Sequence, residues 1–333
     1  MPPAPPRALV YVVDGTLSRL TPGRETNAGL LYKLLQEHKA GAALRVDYHP
    51  GVQGRGTAKW FRAITGLGLN DAIREGYAQL SSRYRPGDRI YLFGYSRGAY
   101  AVRSLAGMID RVGLLRRDLA VERRVDRAFR LYESGSPEAR AAFAYRFCHP
   151  EVEIQMIGVW DTVRALGLPY PLLSRLHPWA TEFHDHALAD TVLNGFHALA
   201  LDEDRTAFRP VMWEIARDWP GRAEQIWFAG AHGDVGGEIG RKRKARPLSN
   251  IPLVWMLERA ENCGLPLPEG WRERFPTDPL APALGSRRGI AKFFLLRAPR
   301  RVGAWDGEDL HPSVAERMER LRYAPKALGL GAD

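Results

Sequence analysis

Ser96 stands at the centre of a G-x-S-x-G motif at residues 94–98, directly after an apolar run at residues 90–93. Apolar residues at helical spacing follow the motif, at positions 99, 102, 105, 106 and 109. A motif between a strand and a helix is typical of a nucleophile elbow, in which glycines leave room for a cramped turn that exposes a serine hydroxyl. We therefore predict that Ser96 is the nucleophile of an acyl-transfer reaction.

A reactive serine needs a base to take its proton and a carboxylate to orient that base. Asp161 follows a predicted strand at 152–159, and His232 follows an aromatic-rich strand at 225–229 within a glycine-rich segment. Both would lie at the C-terminal edge of a parallel sheet, where the elbow also lies. We predict that Asp161 and His232 complete a triad, with Asp202 as the alternative acid and His311 as the alternative base.

The tripeptide Asp14-Gly15-Thr16 follows the first apolar run of the chain. Phosphatases of the haloacid dehalogenase type carry a nucleophilic aspartate two residues before the aspartate of such a tripeptide, but Val12 occupies that position here. Without this carboxylate the phosphatase chemistry is excluded. We instead predict an oxyanion hole, with one backbone N–H from Gly15 or Thr16 and the other from Arg97.

The sequence predicts neither a metal site nor a cofactor. His184 and His186 are separated by one residue, but no third ligand motif lies near them. The two cysteines, Cys148 and Cys263, lie far apart without C-x-x-C spacing, so they predict neither a zinc site nor a disulfide framework. No Walker A motif and no G-x-G-x-x-G in a nucleotide-binding context is present.

Strands and helices alternate along the first hundred residues. Strands are predicted at 9–13, 43–48 and 89–93, with helices between them at 29–39 and 71–84. This alternation favours an α/β fold, with a mostly parallel central sheet and helices on both faces. Further on, the pattern predicts a helix at 188–197 that leads into a short strand at 198–201.

With 333 residues, the chain can form one large domain or two ordinary ones. We expect a single domain at 9–325, a disordered proline-rich lead-in at 1–8 and a tail at 326–333. Two further helices predicted within residues 115–148 form a helical insertion, which we expect to act as a lid.

The net charge of +10 raises nucleic acid or an anionic membrane as a partner. The skew to 41 arginines over seven lysines weakens this inference, and the densest basic run is residues 241–246. That run could gather anionic head groups, whereas no aromatic-interleaved basic stripe supports nucleic-acid binding. No apolar window is long enough to cross a membrane, and Asp14 interrupts the first apolar run, so we expect no Sec signal peptide.

Several segments together resemble the uncharacterised α/β-hydrolase domain family, which includes the catalytic domain of the first family of type VI secretion lipase effectors. The resemblance covers about residues 9–321, and the segments that carry it lie at residues 13–16, 92–100, 158–163, 197–203 and 227–237. It implies a Ser-Asp-His hydrolase that forms an acyl-enzyme from phospholipid esters, with Ser96, Asp161 and His232 in these roles.

The resemblance also implies a protein that is cytoplasmic in the producing cell, leaves it through a type VI secretion system and has a cognate immunity protein. Two alternatives stay open at this point. The chain could hydrolyse acyl esters other than phospholipids, or it could be a catalytically degenerate hydrolase fold that acts by binding.

Overall fold

The computed structural model describes residues 6–16, 18–38, 43–51, 67–163, 187–287, 294–305 and 307–329. Within them, seven strands form one sheet in the order β2-β1-β3-β4-β5-β6-β7, and every neighbouring pair is parallel. The strands are β1 (Ala8–Val13), β2 (Leu44–His49), β3 (Arg89–Tyr95), β4 (Ile154–Trp160), β5 (Asn194–Ala200), β6 (Arg222–Phe228) and β7 (Glu308–Leu310).

Helices cover both faces of this sheet. In chain order they are α1 (Asn27–Glu37), α2 (Leu67–Arg83), α3 (Arg97–Val112), α4 (Glu122–Ser134), α5 (Pro137–Phe147), α6 (His232–Gly236), α7 (Arg246–Asn262) and α8 (Pro312–Arg320). One buried apolar cluster includes side chains of α1 and α7, and a second includes side chains of α2 to α5. The predicted α/β fold, of the α/β-hydrolase type, is therefore confirmed.

The central strands are apolar along their whole length because both of their faces are covered. Every residue of β1 is buried, and its side chains alternate between the two clusters. Val10 and Val12 face the α1 and α7 side, whereas Leu9, Tyr11 and Val13 face the α2 and α3 side. Strands buried on both faces read as continuous apolar runs, which is why the sequence predicts them well.

The predicted insertion at 115–148 is a helical hairpin made by α4 and α5. An isolated antiparallel bridge between Leu115 and Cys148 joins its two ends. Ser136 caps α5, where its side chain accepts a hydrogen bond from the N–H of Ala139. The hairpin packs on α2 and α3, and its action as a lid stays a prediction.

The helix predicted at 188–197 is wrong, because residues 188–193 form turns and an isolated bridge rather than a helix. Residues 194–200 form β5, which pairs with β4 on one side and β6 on the other. A short apolar run cannot be assigned to a helix or a strand by spacing alone, and here pairing with two neighbouring strands decides it. Much of the predicted lead-in and tail, residues 1–5 and 330–333, lies outside the described residues, and the single-domain boundaries stay a prediction.

Candidate active site

Ser96 occupies the turn between β3 and α3, in a strained backbone conformation with φ 59° and ψ −120°. The two glycines of the motif are required by close backbone approaches. A Cβ atom on Gly94 would lie 2.5 Å from the carbonyl oxygen of Gly98, and one on Gly98 would lie 2.2 Å from that of Val13. The turn has the strain and the crowding expected of a nucleophile elbow.

His232 lies between Ser96 and Asp161. Its Nε2 atom is 2.9 Å from Ser96 Oγ, and its Nδ1 atom is 2.6 Å from Asp161 Oδ2. Asp161 is fully buried, while His232 and Ser96 are 3% and 7% exposed. The three side chains therefore form a continuous hydrogen-bonded chain with only the serine end near the surface.

The Asp161 carboxylate is held from several directions. Asp161 directly follows β4 and has a φ of 44°, and its Oδ1 accepts a hydrogen bond of 2.9 Å from the N–H of Ala200 in β5. Arg300 donates to both carboxylate oxygens, at 2.6 and 2.9 Å. Burial by itself would raise the pKa of Asp161, but Arg300 and His232 outweigh it and hold that pKa below its ordinary value.

The imidazole of His232 is clamped between two aromatic rings. The Tyr95 ring stacks on it at a centroid distance of 4.9 Å, and the Phe208 ring meets it edge-on at the same distance. The backbone N–H of His232 donates to Glu203 Oε2. Glu203 is itself buried and paired with Arg205, whose guanidinium lies over the Phe208 ring. These contacts leave the imidazole little rotational freedom.

A buried histidine supports the turn that carries Asp161. His197, in β5, accepts a hydrogen bond through Nε2 from the N–H of Thr162. Burial lowers the pKa of His197 to about 3, because the charged imidazolium would be desolvated there and lies near Arg103. His197 is therefore neutral at physiological pH, as an accepting Nε2 requires.

The alternative acid and base lie elsewhere. Asp202 accepts hydrogen bonds from the N–H of Gly230 and from the hydroxyl of Tyr323. His311 caps α8, where its Nδ1 accepts from the N–H of Ser313, and burial lowers the pKa of His311 to about 4. The structure brings Asp161 and His232 to Ser96, and gives Asp202 and His311 partners in other segments.

The loop after β1 is organised by Asp14. This buried carboxylate accepts hydrogen bonds from Thr26, from Tyr48 and from the N–H of Gly15, the last at 2.7 Å. The N–H of Gly15 is thus already engaged, which argues against its predicted role as an oxyanion donor. The Thr16 hydroxyl is buried and has no hydrogen-bond partner among the described residues, so Thr16 is the better candidate beside Arg97.

No cluster of three or more metal-ligating side chains occurs within the described part of the chain. The pair His184 and His186 lies outside that part. In the basic run at 241–246, Arg246 is not available to a head group. It begins α7, bonds Asn27 and Asn250, and is largely buried, which lowers its pKa to about 10.

Sequence reasoning missed three contributors to the site. Arg300 is one of 41 arginines, and its neighbours in the sequence do not distinguish it. Tyr95 is one of the two unspecified positions of the G-x-S-x-G motif, and Glu203 directly follows the alternative acid Asp202. Only the position of Tyr95, next to the predicted nucleophile, offered a usable signal.

Residues 7–259 match the family model described as type VI secretion system, phospholipase effector Tle1-like, catalytic domain. The uncharacterized protein YEL023C of Saccharomyces cerevisiae is 29% identical over 228 residues, which are 60% of this chain and 32% of that protein. The chain thus spans about a third of the length of this curated relative.

Two solved structures are similar at low identity. An uncharacterized protein from Pseudomonas aeruginosa shares 16% identity with a TM-score of 0.48, over 82% of this chain and 49% of that one. The Tle1 effector bound to the VgrG spike of the type 6 secretion system shares 20% identity with a TM-score of 0.42, over 74% of this chain and 53% of that one.

Proposed function

The chain belongs to the family of Tle1-like catalytic domains of type VI secretion phospholipase effectors, and from this premise we propose that it is a serine hydrolase of phospholipid acyl esters. The observation that carries the proposal is the position of His232, 2.9 Å from Ser96 and 2.6 Å from Asp161. A hydroxyl, an imidazole and a buried carboxylate in this order are the groups that acyl transfer requires.

The reaction follows from these contacts. Ser96 Oγ attacks the carbonyl carbon of the acyl ester while His232 Nε2 takes its proton, and Asp161 stabilises the resulting imidazolium through Nδ1–H. The N–H of Arg97 and the Thr16 hydroxyl are suited to stabilise the negative oxygen. Collapse of this intermediate expels the alcohol, which His232 protonates, and leaves an acyl-enzyme. Water activated by His232 then releases the fatty acid and regenerates Ser96.

A surface for anionic lipid head groups is available on the helical hairpin. We define the arginine cleft as a depression of about 420 Å³ between α4 and α5, lined by two phenylalanines and by Arg123, Arg124, Arg127, Arg130 and Arg146. No ion pair with a carboxylate is found for Arg127 or Arg130 among the described residues. Guanidiniums without a carboxylate partner suit a phosphate-rich membrane surface.

Family membership also supports export by a type VI secretion system and a cognate immunity protein. Among the described residues, no helix is long and apolar enough to cross a membrane. Genomic neighbours, and co-purification with the product of an adjacent gene, would test both proposals.

The decisive experiment measures fatty acid released from mixed phospholipid vesicles by the wild type, by Ser96→Ala and by Ser134→Ala. Ser134 is an exposed serine in α4 and serves as the control. We expect release by the wild type and the control only, and an organophosphate adduct that maps to Ser96. An adduct without lipid cleavage would favour a non-phospholipid ester as the substrate. Absence of both would favour a degenerate, binding-only fold.

A further inference from the structure

Arg300 makes a bidentate ion pair with Asp161 inside the protein. Its Nη1 lies 2.6 Å from Oδ1 and its Nη2 lies 2.9 Å from Oδ2. The same two nitrogens donate to the carbonyl oxygens of Ala200, at 2.8 Å, and Phe208, at 2.5 Å. The Asp161 side chain is fully buried and that of Arg300 is 4% exposed. Buried pairs of this geometry resist screening by salt and water.

On this geometry we propose that Arg300 is a positioning residue of the active site, which locks the Asp161 carboxylate towards His232 and balances its buried charge. The proposal rests on the proposed function, since it takes Asp161 as the triad acid. With His232 and the N–H of Ala200, Arg300 brings the contacts on the carboxylate to four. Every acceptor direction of the carboxylate is then used, so its plane cannot rotate away from Nδ1.

The charge of Arg300 also affects His232, through the Asp161 carboxylate that both contact. Without Arg300, a buried Asp161 anion would face a neutral imidazole, and protonation of His232 would relieve the uncompensated charge. With Arg300 in place the anion is already neutralised, so the imidazolium gains less from Asp161. The guanidinium therefore shares with His232 the balancing of the buried Asp161 charge.

Of the groups around the site, His197 in β5 is also coupled to Arg300, whose charge helps to lower the pKa of that histidine. The other charged groups around His232 form no hydrogen bond or ion pair with Arg300 among the described residues. From the segment after β5, Glu203 faces the His232 backbone and is paired with Arg205. From the segment after α6, Glu238 accepts a hydrogen bond from Tyr95, the ring stacked on the imidazole. Arg97 follows Ser96 directly in the elbow. A shift in the pH profile on substitution of Arg300 would therefore report on the Asp161 charge.

Arg300 also lies outside the part of the chain that matches the family. The match ends at residue 259, whereas Ser96, Asp161 and His232 all lie within it. The segment around Arg300 is held in place by Arg297, which pairs with Asp204 and Ser286. The site of this protein is therefore completed by a segment beyond the matched catalytic domain.

The test compares the pH profile of kcat/KM for the wild type, Arg300→Met, Arg300→Lys and the control Arg301→Gln. Arg301 is the exposed arginine next to Arg300, so its substitution removes the same charge from the same segment. We expect Arg300→Met to move the acidic limb to higher pH by about one unit or more and to lower the plateau about 10- to 100-fold. Arg300→Lys keeps the charge, so its limb should stay near that of the wild type.

A purely structural role would lower the plateau of Arg300→Met and leave its acidic limb in place, and this result would overturn the proposal. So would equal shifts of the acidic limb in Arg300→Met and Arg301→Gln. Circular dichroism of each variant identifies any that fails to fold. If Arg300→Met does not fold, Arg300→Lys is compared with the wild type instead, by the plateau value of kcat/KM and by the rate of organophosphate labelling. Absence of esterase activity in the wild type would instead contradict the proposed function.

Discussion

The Tyr95 ring stacks on the His232 imidazole only because residue 236 has no side chain. A Cβ atom on Gly236 would lie 1.9 Å from the Tyr95 ring, whereas one on Gly233, in the same short helix, would meet its nearest neighbour, the Glu238 carbonyl oxygen, at 3.5 Å. Two glycines three residues apart thus differ in their surroundings. Gly236 makes space for the ring that stacks on His232, whereas a side chain at Gly233 would make only ordinary van der Waals contact.

Gly236→Ala is expected to displace Tyr95, to lower the free energy of unfolding by about 1–3 kcal/mol and to reduce kcat/KM at least about 10-fold. Gly233→Ala should leave both quantities close to those of the wild type. Thermal unfolding and ester hydrolysis measured on the two variants check this. Equal effects in both would contradict the role assigned to the Tyr95 ring.

Exchange of the acid separates the two candidate carboxylates. Asp161→Asn should lower kcat by about 10⁴-fold, because an amide cannot hold the required tautomer of His232 or stabilise its charge. Asp202→Asn should lower stability through its bonds with Gly230 and Tyr323 and leave kcat within a few-fold. Steady-state kinetics of both variants decide the assignment, and the reverse ranking would move the triad acid to Asp202.

The Thr16 hydroxyl can be removed without change of shape. Thr16→Val should lower kcat about 10²-fold with little change in KM if this hydroxyl donates to the developing oxyanion. Thr26→Val is a suitable comparison, because its hydroxyl bonds Asp14 in the same loop and its loss should act on stability. An unchanged kcat in Thr16→Val would exclude the hydroxyl from the reaction.

Stability should fall in mild acid because of His197. Its pKa is about 3 in the folded protein, against an ordinary value of 6.5 for histidine that we take for the unfolded chain. The unfolded chain therefore binds the extra proton first, and the free energy of unfolding decreases as pH falls below 6.5, by up to about 1.4 kcal/mol per pH unit. Chemical denaturation between pH 7.5 and 5 measures this slope.

His197→Gln should make that slope shallower even if the variant is less stable at every pH. His311, whose pKa is also lowered by burial, contributes to the slope that remains. His38→Gln, which changes an exposed histidine after α1, should keep the slope of the wild type. Parallel slopes for all three proteins would show that another group causes the loss of stability in acid.

The arginine cleft predicts selective binding to anionic vesicles. The pair Arg127→Gln and Arg130→Gln should weaken binding to vesicles containing phosphatidylglycerol about 10-fold or more, at roughly 1 kcal/mol per arginine. Hydrolysis of a soluble ester should be unaffected. The pair Arg217→Gln and Arg322→Gln removes the same charge from exposed positions elsewhere. Co-sedimentation with vesicles compares the two double variants. Equal losses of binding would show that net charge, rather than the arginine cleft, causes the effect.

Much of the fold could be predicted from local patterns. The apolar runs that became β1, β3 and β4 are buried on both faces, so their composition alone identifies them. The segment of β5 was harder, because a short apolar run satisfies helix and strand spacing alike, and pairing with β4 and β6 is a property of the sheet.

Some residues of the candidate site could likewise be predicted from local patterns, and others could not. Ser96 and its two glycines could be identified from the sequence, because an elbow is a local turn whose crowding only small residues tolerate. The contacts that favour Asp161 over Asp202, and His232 over His311, join residues as far apart as 136 positions in the chain. Parallel strands bring such residues to one edge of the sheet, but the pattern of each strand does not say which side chain turns inwards.

Local spacing in this chain therefore specifies the strands buried on both faces, such as β1, β3 and β4, and the position of the turn around Ser96, since both depend on neighbouring residues. The ion pair of Arg300 with Asp161, the engagement of the Gly15 N–H by Asp14 and the clamp on His232 arise only when distant segments pack together. Each is a contact across the tertiary structure, made by a residue type that is common in the sequence and is distinguished only by its partners.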